Sequence, residues 1–559
     1  MRLLRHCCVA LLCVTASSLA HNTAPKAKTL NGTYQGLHLS EWDQDAFLGI
    51  PFAQPPVGNL RYRHPRSINT SFQGTRHADT YGYSCMQYEG RLPLNMSEDC
   101  LTINIIRPVE KHAAPVPVLV WIYGGGLGVG STADPQYNLS GIVNVSQEMG
   151  NPIIAVSMNY RVNHWGFLQS QQTLVEGSSN AGLLDQRMAL RWVQENISAF
   201  GGDPNRVTVW GESAGAQSII LQMMAYDGRD EGLFHRAILE SGGPTGAPIK
   251  DLAYWKVPFE NLTRSVGCES AEDRLACLRK VDASRLYASR QSQEWQGPLV
   301  DGDFLTGYPS QLMAAHKMVR VPVLTGANTD EGISFNPGFV DVPGKPLLDD
   351  VTDLLNGFIG WRSYNLSPQT FRKLLELYPA DECDVPPHSI TNCSLIEGEG
   401  KQYRRAASIG GDMVIVAGRR KTCEYLGDDD GKFPVYSYRF NTRLWNRTES
   451  QGVQHFDNVA FSFQNITGLL GPAPEYSSHV KLARAIGRAY VRFAYNANPN
   501  PTGRHGHSQS LLPYWPRYSL SRPQNMVFDA NGSFLESDTW RKEGITYLNS
   551  APVSRELLS

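Results

Sequence analysis

The stretch Val207-Thr208-Val209-Trp210-Gly211-Glu212-Ser213-Ala214-Gly215, followed by the apolar run Ala216 to Met224, decides how the rest of the chain is read. Four β-favouring residues lead into Gly-x-Ser-x-Gly, and a helix-forming run leads out of it. A turn that joins such a strand directly to such a helix leaves no room for side chains at Gly211 and Gly215. It also holds the serine hydroxyl clear of the sheet in strained geometry, the arrangement called a nucleophile elbow. A bare Gly-x-Ser-x-Gly is common by chance, and the strand before it and the helix after it give it its weight here.

Other apolar, β-rich runs read as buried strands ending in Gly-rich or acidic turns: Val118 to Tyr123, Ile153 to Ser157, Arg236 to Leu239 and Val321 to Thr325. Between them, Leu183, Leu190, Val193 and Ile197 share one helix face that Gly201 and Gly202 terminate. Further on, Leu482, Ala485, Ile486, Ala489 and Phe493 recur at helical spacing before Asn496 to Pro501 breaks the pattern. Strand alternating with helix predicts an α/β protein, with a mostly parallel sheet covered on both faces. No linker-like composition divides the sequence, so residues 21–559 read as a single domain. The stretch 340–430 gives no clear pattern.

A serine that attacks an ester carbonyl needs donors waiting where the oxyanion forms, and backbone N–H groups require no reorganisation. Tyr123-Gly124-Gly125-Gly126-Leu127, after the strand Val118 to Ile122, supplies them. The expected donors are the N–H groups of Gly125, Gly126 and Ala214. In this fold the acid and then the histidine follow the serine, each on a loop beyond a strand's carboxyl end. Val321 to Gly332 contains both Asp330 and Glu331, and spacing does not separate them. Of the later histidines, His388, His455, His479, His505 and His507, position favours His455 in Gln451-Gly452-Val453-Gln454-His455.

Phe200-Gly201-Gly202-Asp203-Pro204-Asn205-Arg206 through Gly215, together with Glu98-Asp99-Cys100-Leu101-Thr102-Ile103-Asn104-Ile105, resembles the two signatures of the type-B carboxylesterase/lipase family, which includes cholinesterases and fungal lipases. Asn159-Tyr160-Arg161, Asn180 to Gln186, Arg236 to Gly242, Thr329 to Gly332 and Gly452 to His455 are similar to it as well, with secreted fungal carboxylesterases the nearest likeness. The resemblance implies an α/β-hydrolase fold and a triad of Ser213, Glu331 and His455. It also implies that Glu212 and Ser241 flank that triad, and that disulfides join Cys85 to Cys100 and Cys268 to Cys277. No cofactor and no metal is expected. Cholinesterases hold their cationic substrate on a tryptophan in the first disulfide loop; Met86 to Asp99 contains none, so choline esters are not expected. The shortness of that loop compared with the flap of interfacially activated lipases suggests soluble or short-chain esters. A lipase or sterol esterase is the alternative within the enzyme class. The alternative of another class is a non-catalytic adhesion protein.

Arg2 and Arg5, the apolar run Val9 to Val14 and the small residues to Ala20 read as a signal peptide over residues 1–20. Asn-x-Ser/Thr sequons at Asn31, Asn69, Asn95, Asn138, Asn144, Asn196, Asn261, Asn392, Asn446, Asn465 and Asn531 agree with export and N-glycosylation. The expected protein is secreted, carries no membrane anchor, and acts on a small-molecule ester. A chain of 559 residues with 41% hydrophobic residues, 19% charged residues and a net charge of -2 gives no sign of nucleic-acid binding. Three of its ten cysteines lie in the leader. Beyond the two implied bridges, Cys383 and Cys393 form a third candidate pair, and Cys423, in an apolar segment, is expected to be a buried thiol of low reactivity.

Overall fold

The computed structural model describes residues 24–88, 94–110, 112–289, 297–335, 366–391, 394–427, 432–466, 474–501 and 511–559. Its centre is an eleven-stranded sheet. In chain order the strands are β1 (Leu37–Leu39), β2 (Gln44–Pro51), β3 (Thr102–Pro108), β4 (Val116–Ile122), β5 (Ile154–Met158), β6 (Gly202–Glu212), β7 (Arg236–Glu240), β8 (Val323–Asn328), β9 (Val435–Phe440), β10 (Gln524–Phe528) and β11 (Phe534–Ser537). Across the sheet they run β11-β10-β9-β8-β7-β6-β4-β5-β3-β2-β1. From β5 to β10 every neighbouring pair is parallel. The outer pairs at both edges are antiparallel.

Every residue of β4 and β8 is buried, as strands covered on both faces require. The helices that matter for the site are α1 (Ala181–Asn196), α2 (Ala214–Gly228), α3 (Tyr403–Gly411), α4 (Ala417–Gly427) and α5 (Ser477–Asn496), with a π-helical stretch Asp412–Val416 joining α3 to α4. The two helices read from spacing are α1 and α5. All five strands read from the sequence are present, although β6 begins at Gly202, ahead of the expected Val207, because a register irregularity between Gly202 and Val207 carries the strand across Pro204. A further helix, Pro368–Leu377, lies within the stretch 340–430 that gives no clear pattern, and helices α3 and α4 occupy the end of that stretch. Their glycines and buried arginines, such as Arg404, Arg419 and Arg420, hide the apolar period.

Disulfides join Cys85 to Cys100 and Cys268 to Cys277, each a constraint worth about 2 to 4 kcal/mol. Cys383 is disulfide-bonded, and its expected partner Cys393 lies outside the described residues. Cys423 is a free, buried thiol that burial pushes up to about 11. Of the sequon asparagines, Asn196 and Asn465 are buried, and Asn196 accepts from Leu30 N and donates to Trp192 O. Asn392 and the leader lie outside the described residues. No described helix is long and apolar enough to cross a membrane.

Beneath the carboxyl end of the sheet, Glu240 is fully buried. Tyr490 OH donates to its Oε1 at 2.5 Å and Ser462 Oγ to its Oε2 at 3.4 Å. Burial pushes this carboxyl from 4.5 up to about 7. The folded state therefore binds the proton more tightly than the unfolded chain. Its stabilising contribution is complete below pH 4.5 and is lost as the pH rises through about 7, a difference of roughly 3 kcal/mol. Glu240→Gln keeps an acceptor for Tyr490 and carries no charge. Thermal melts should show it more stable than the parent at pH 8 and nearly equal at pH 4; equal melting points at pH 8 would contradict the account.

Candidate active site

The site is built at the carboxyl ends of β4, β6, β7 and β8. Between β6 and α2, Ser213 sits at φ 56°, ψ −124°, a conformation a non-glycine residue holds only when its surroundings impose it. The surroundings here are backbones in contact. A Cβ added at Gly215 would lie 2.0 Å from Ile122 O, one added at Gly211 would lie 2.7 Å from Gly215 C, and one added at Gly124 would lie 2.9 Å from Ser213 Cβ. Ser213 N donates to Glu240 O at 2.9 Å, so β7 pins the turn from the other side. The Gly124–Gly126 loop thus lies directly against the serine. Gly125 and Gly126 adopt φ of +94° and +63°, and Gly126 and Ala214 line a cavity of about 40 Å³ beside Ser213.

His455 Nε2 stands 2.9 Å from Ser213 Oγ and 3.2 Å from Glu212 Oε1, and His455 Nδ1 stands 2.6 Å from Glu331 Oε2. Glu331 and Glu212 are each 1% exposed. The other oxygen of Glu331 accepts from Ser241 Oγ at 2.6 Å and from Asn328 N at 2.7 Å. A carboxylate so held accepts a hydrogen bond from Nδ1–H, and in that tautomer the Nε2 lone pair faces the serine. Phe335 packs on the imidazole with ring centroids 4.8 Å apart. Among the described residues no group of three or more His, Cys, Asp and Glu side chains has an arrangement that could hold a metal ion.

The two acids that spacing could not separate point opposite ways. Glu331 faces His455. Asp330 accepts from His388 Nδ1 at 2.7 Å and His388 N at 3.0 Å, and from Val453 N at 2.7 Å, while Asp330 N donates to Val453 O at 2.9 Å. Asp330 therefore ties the acid's turn to the loop that carries the histidine. Asn328 Nδ2 adds a second tie, to Gln454 O at 2.6 Å. Asn328, Phe335, His388, Val414 and Ile415 were not foreseen as parts of the site, and no spacing in the sequence marks them.

The carboxylesterase family model matches residues 23–542. Lipase 4 of Diutina rugosa is 33% identical, with 95% of this chain and 97% of that protein aligned. Secreted lipase 1 of Botryotinia fuckeliana is 32% identical over 90% of this chain and 89% of its own length. The crystal structure of Aspergillus niger EstA superposes with a TM-score of 0.81 at 28% identity and covers 97% of this chain and all of that one. The chain belongs to the carboxylesterase family and has the α/β-hydrolase fold; carboxylic ester hydrolysis is the reaction class that membership carries.

Asp330→Ala would leave the buried Val453 N–H without its acceptor, at roughly 1 to 3 kcal/mol, and would also strip the part-buried His388 N–H groups of theirs. It should lower the melting temperature more than His388→Ala does, since the latter keeps the tie to Val453. Differential scanning calorimetry compares the two variants, and a larger loss for His388→Ala would contradict the assignment of Asp330 as the link.

Proposed function

We propose that the protein is a secreted serine carboxylester hydrolase in which Ser213 is the nucleophile, His455 the base and Glu331 the acid. The observation that carries this reading is the unbroken chain Glu331–His455–Ser213, at 2.6 and 2.9 Å, ending on a serine in strained geometry. His455 Nε2 takes the hydroxyl proton as Ser213 Oγ bonds to the ester carbonyl carbon. The carbonyl oxygen becomes an oxyanion facing the N–H groups of Gly125, Gly126 and Ala214. The imidazolium returns its proton to the departing alcohol, which leaves an acyl-serine. Water then repeats the sequence and releases the carboxylic acid. Glu331 fixes the imidazole tautomer and stabilises the imidazolium. Glu212, 3.2 Å from Nε2, adds a second negative group beside it. Export is supported by the charged and apolar leader and by relatives whose names call them secreted.

Ser213→Ala should lower turnover of p-nitrophenyl butanoate by roughly a millionfold and abolish covalent labelling by a fluorophosphonate. A labelled or largely active variant would refute the assignment. Activity of the parent should fall on acidification, because a protonated His455 cannot accept the serine proton. A pH–rate profile that stays flat into the acidic range would remove His455 from the base role.

A further inference from the structure

The cavity beside Ser213 is bounded by Gly126 and Ala214, by the segment Ser241 to Ala247, by Phe335, and by Val414 and Ile415 of the π-helical stretch. Its far wall is closed by main chain. A Cβ added at Gly246, where φ is +105°, would fall 1.8 Å from Val414 O, and one added at Gly243 would fall 2.6 Å from Gly418 C. Two backbones in such contact leave no passage between them for a chain of methylenes. The wall is also braced from behind. Asp412, which opens the π-helical stretch, is held by both oxygens to Arg541 at 2.6 Å and by Tyr378 OH at 2.7 Å. Behind it, Met413 and Val416 pack with Ile545, Leu548 and Val553. A π-helical turn widens the helix by one residue and often marks a functional site. Here the widened turn brings Val414 and Ile415 to the edge of the cavity, while both remain part of the apolar cluster behind it.

We propose that Val414 and Ile415 are specificity-determining residues that restrict the acyl group to short chains, and that the substrates are esters of acids of about two to four carbons. The size argument is direct. A single water needs about 10 to 15 Å³, so the observed 40 Å³ accommodates about three atoms of that size. A decanoyl chain would leave most of its methylenes without a place against protein. The inference rests on the acyl-serine reading above, and it separates this chain from relatives that carry the name lipase.

The experiment is a kcat/KM series on p-nitrophenyl esters from acetate to decanoate, each below its solubility limit, with parallel labelling of Ser213 by diisopropyl fluorophosphonate. The parent should peak between acetate and butanoate and fall by roughly tenfold or more by octanoate, since even one misfitted methylene is worth that much in a fitted pocket. Ile415→Ala and Val414→Ala, which trim two residues that line the cavity, should each raise the octanoate-to-acetate ratio by about tenfold. If one variant fails to fold, the other and the parent profile still decide. A parent profile that rises through octanoate with Ser213 labelled would overturn this inference and leave the nucleophile intact. Undiminished hydrolysis with Ser213 unlabelled would overturn the acyl-serine reading itself.

Discussion

The constraint on which the rest depends is the contact of three backbones around Ser213. Gly211, Gly215 and Gly124 each sit where any Cβ would collide with main-chain atoms or with the serine itself. Only because those side chains are absent can β4, β6 and the start of α2 close on one another. That closure holds Ser213 at a positive φ, a strained state of the order of 1 to 3 kcal/mol that the surrounding sheet over-determines. The serine is thereby placed within 2.9 Å of His455 and against the Gly124–Gly126 loop. The sheet is the rigid support, and the loops at its carboxyl edge supply the side chains, as open α/β sheets arrange their sites.

How much of this was legible in the chain follows from where the information resides. The elbow could be read because its glycines and its strand-to-helix switch are local, and the buried parallel strands could be read because they are continuous apolar runs. Strands β9 and β10 went unmarked: Val435–Phe440 alternates aromatic and polar residues, including Arg439, and Gln524–Phe528 is short and opens on polar residues. The helices α3 and α4 were hidden by inward-facing arginines, which are buried because Arg419 and Arg420 meet Asp538 and Arg404 meets a ring of carbonyls. A pattern that equates charge with exposure cannot register them.

Asp330 and Glu331 show the same limit inside the site. Neighbours on one turn, both buried, they differ only in which way the turn aims them, and that is settled by partners far away in the sequence. Ser241 and Asn328 orient one, and His388 and Val453 orient the other. Local sequence offers two equivalent carboxylates, and tertiary contacts make one face the imidazole while the other staples the histidine loop. Family resemblance could choose between them because it carries the memory of those contacts; spacing could not.

The separations along the chain have one further consequence. His455 lies 124 residues beyond Glu331 and 242 beyond Ser213, and the strands between them join in parallel through long crossovers. Such contacts form only after most of the chain has been committed, because each must first overcome the entropy of closing a long loop. A nascent chain that has not yet delivered its last third thus carries an elbow with no imidazole beside Ser213. The Ser213–His455 contact therefore marks a chain that has folded at least as far as residue 455.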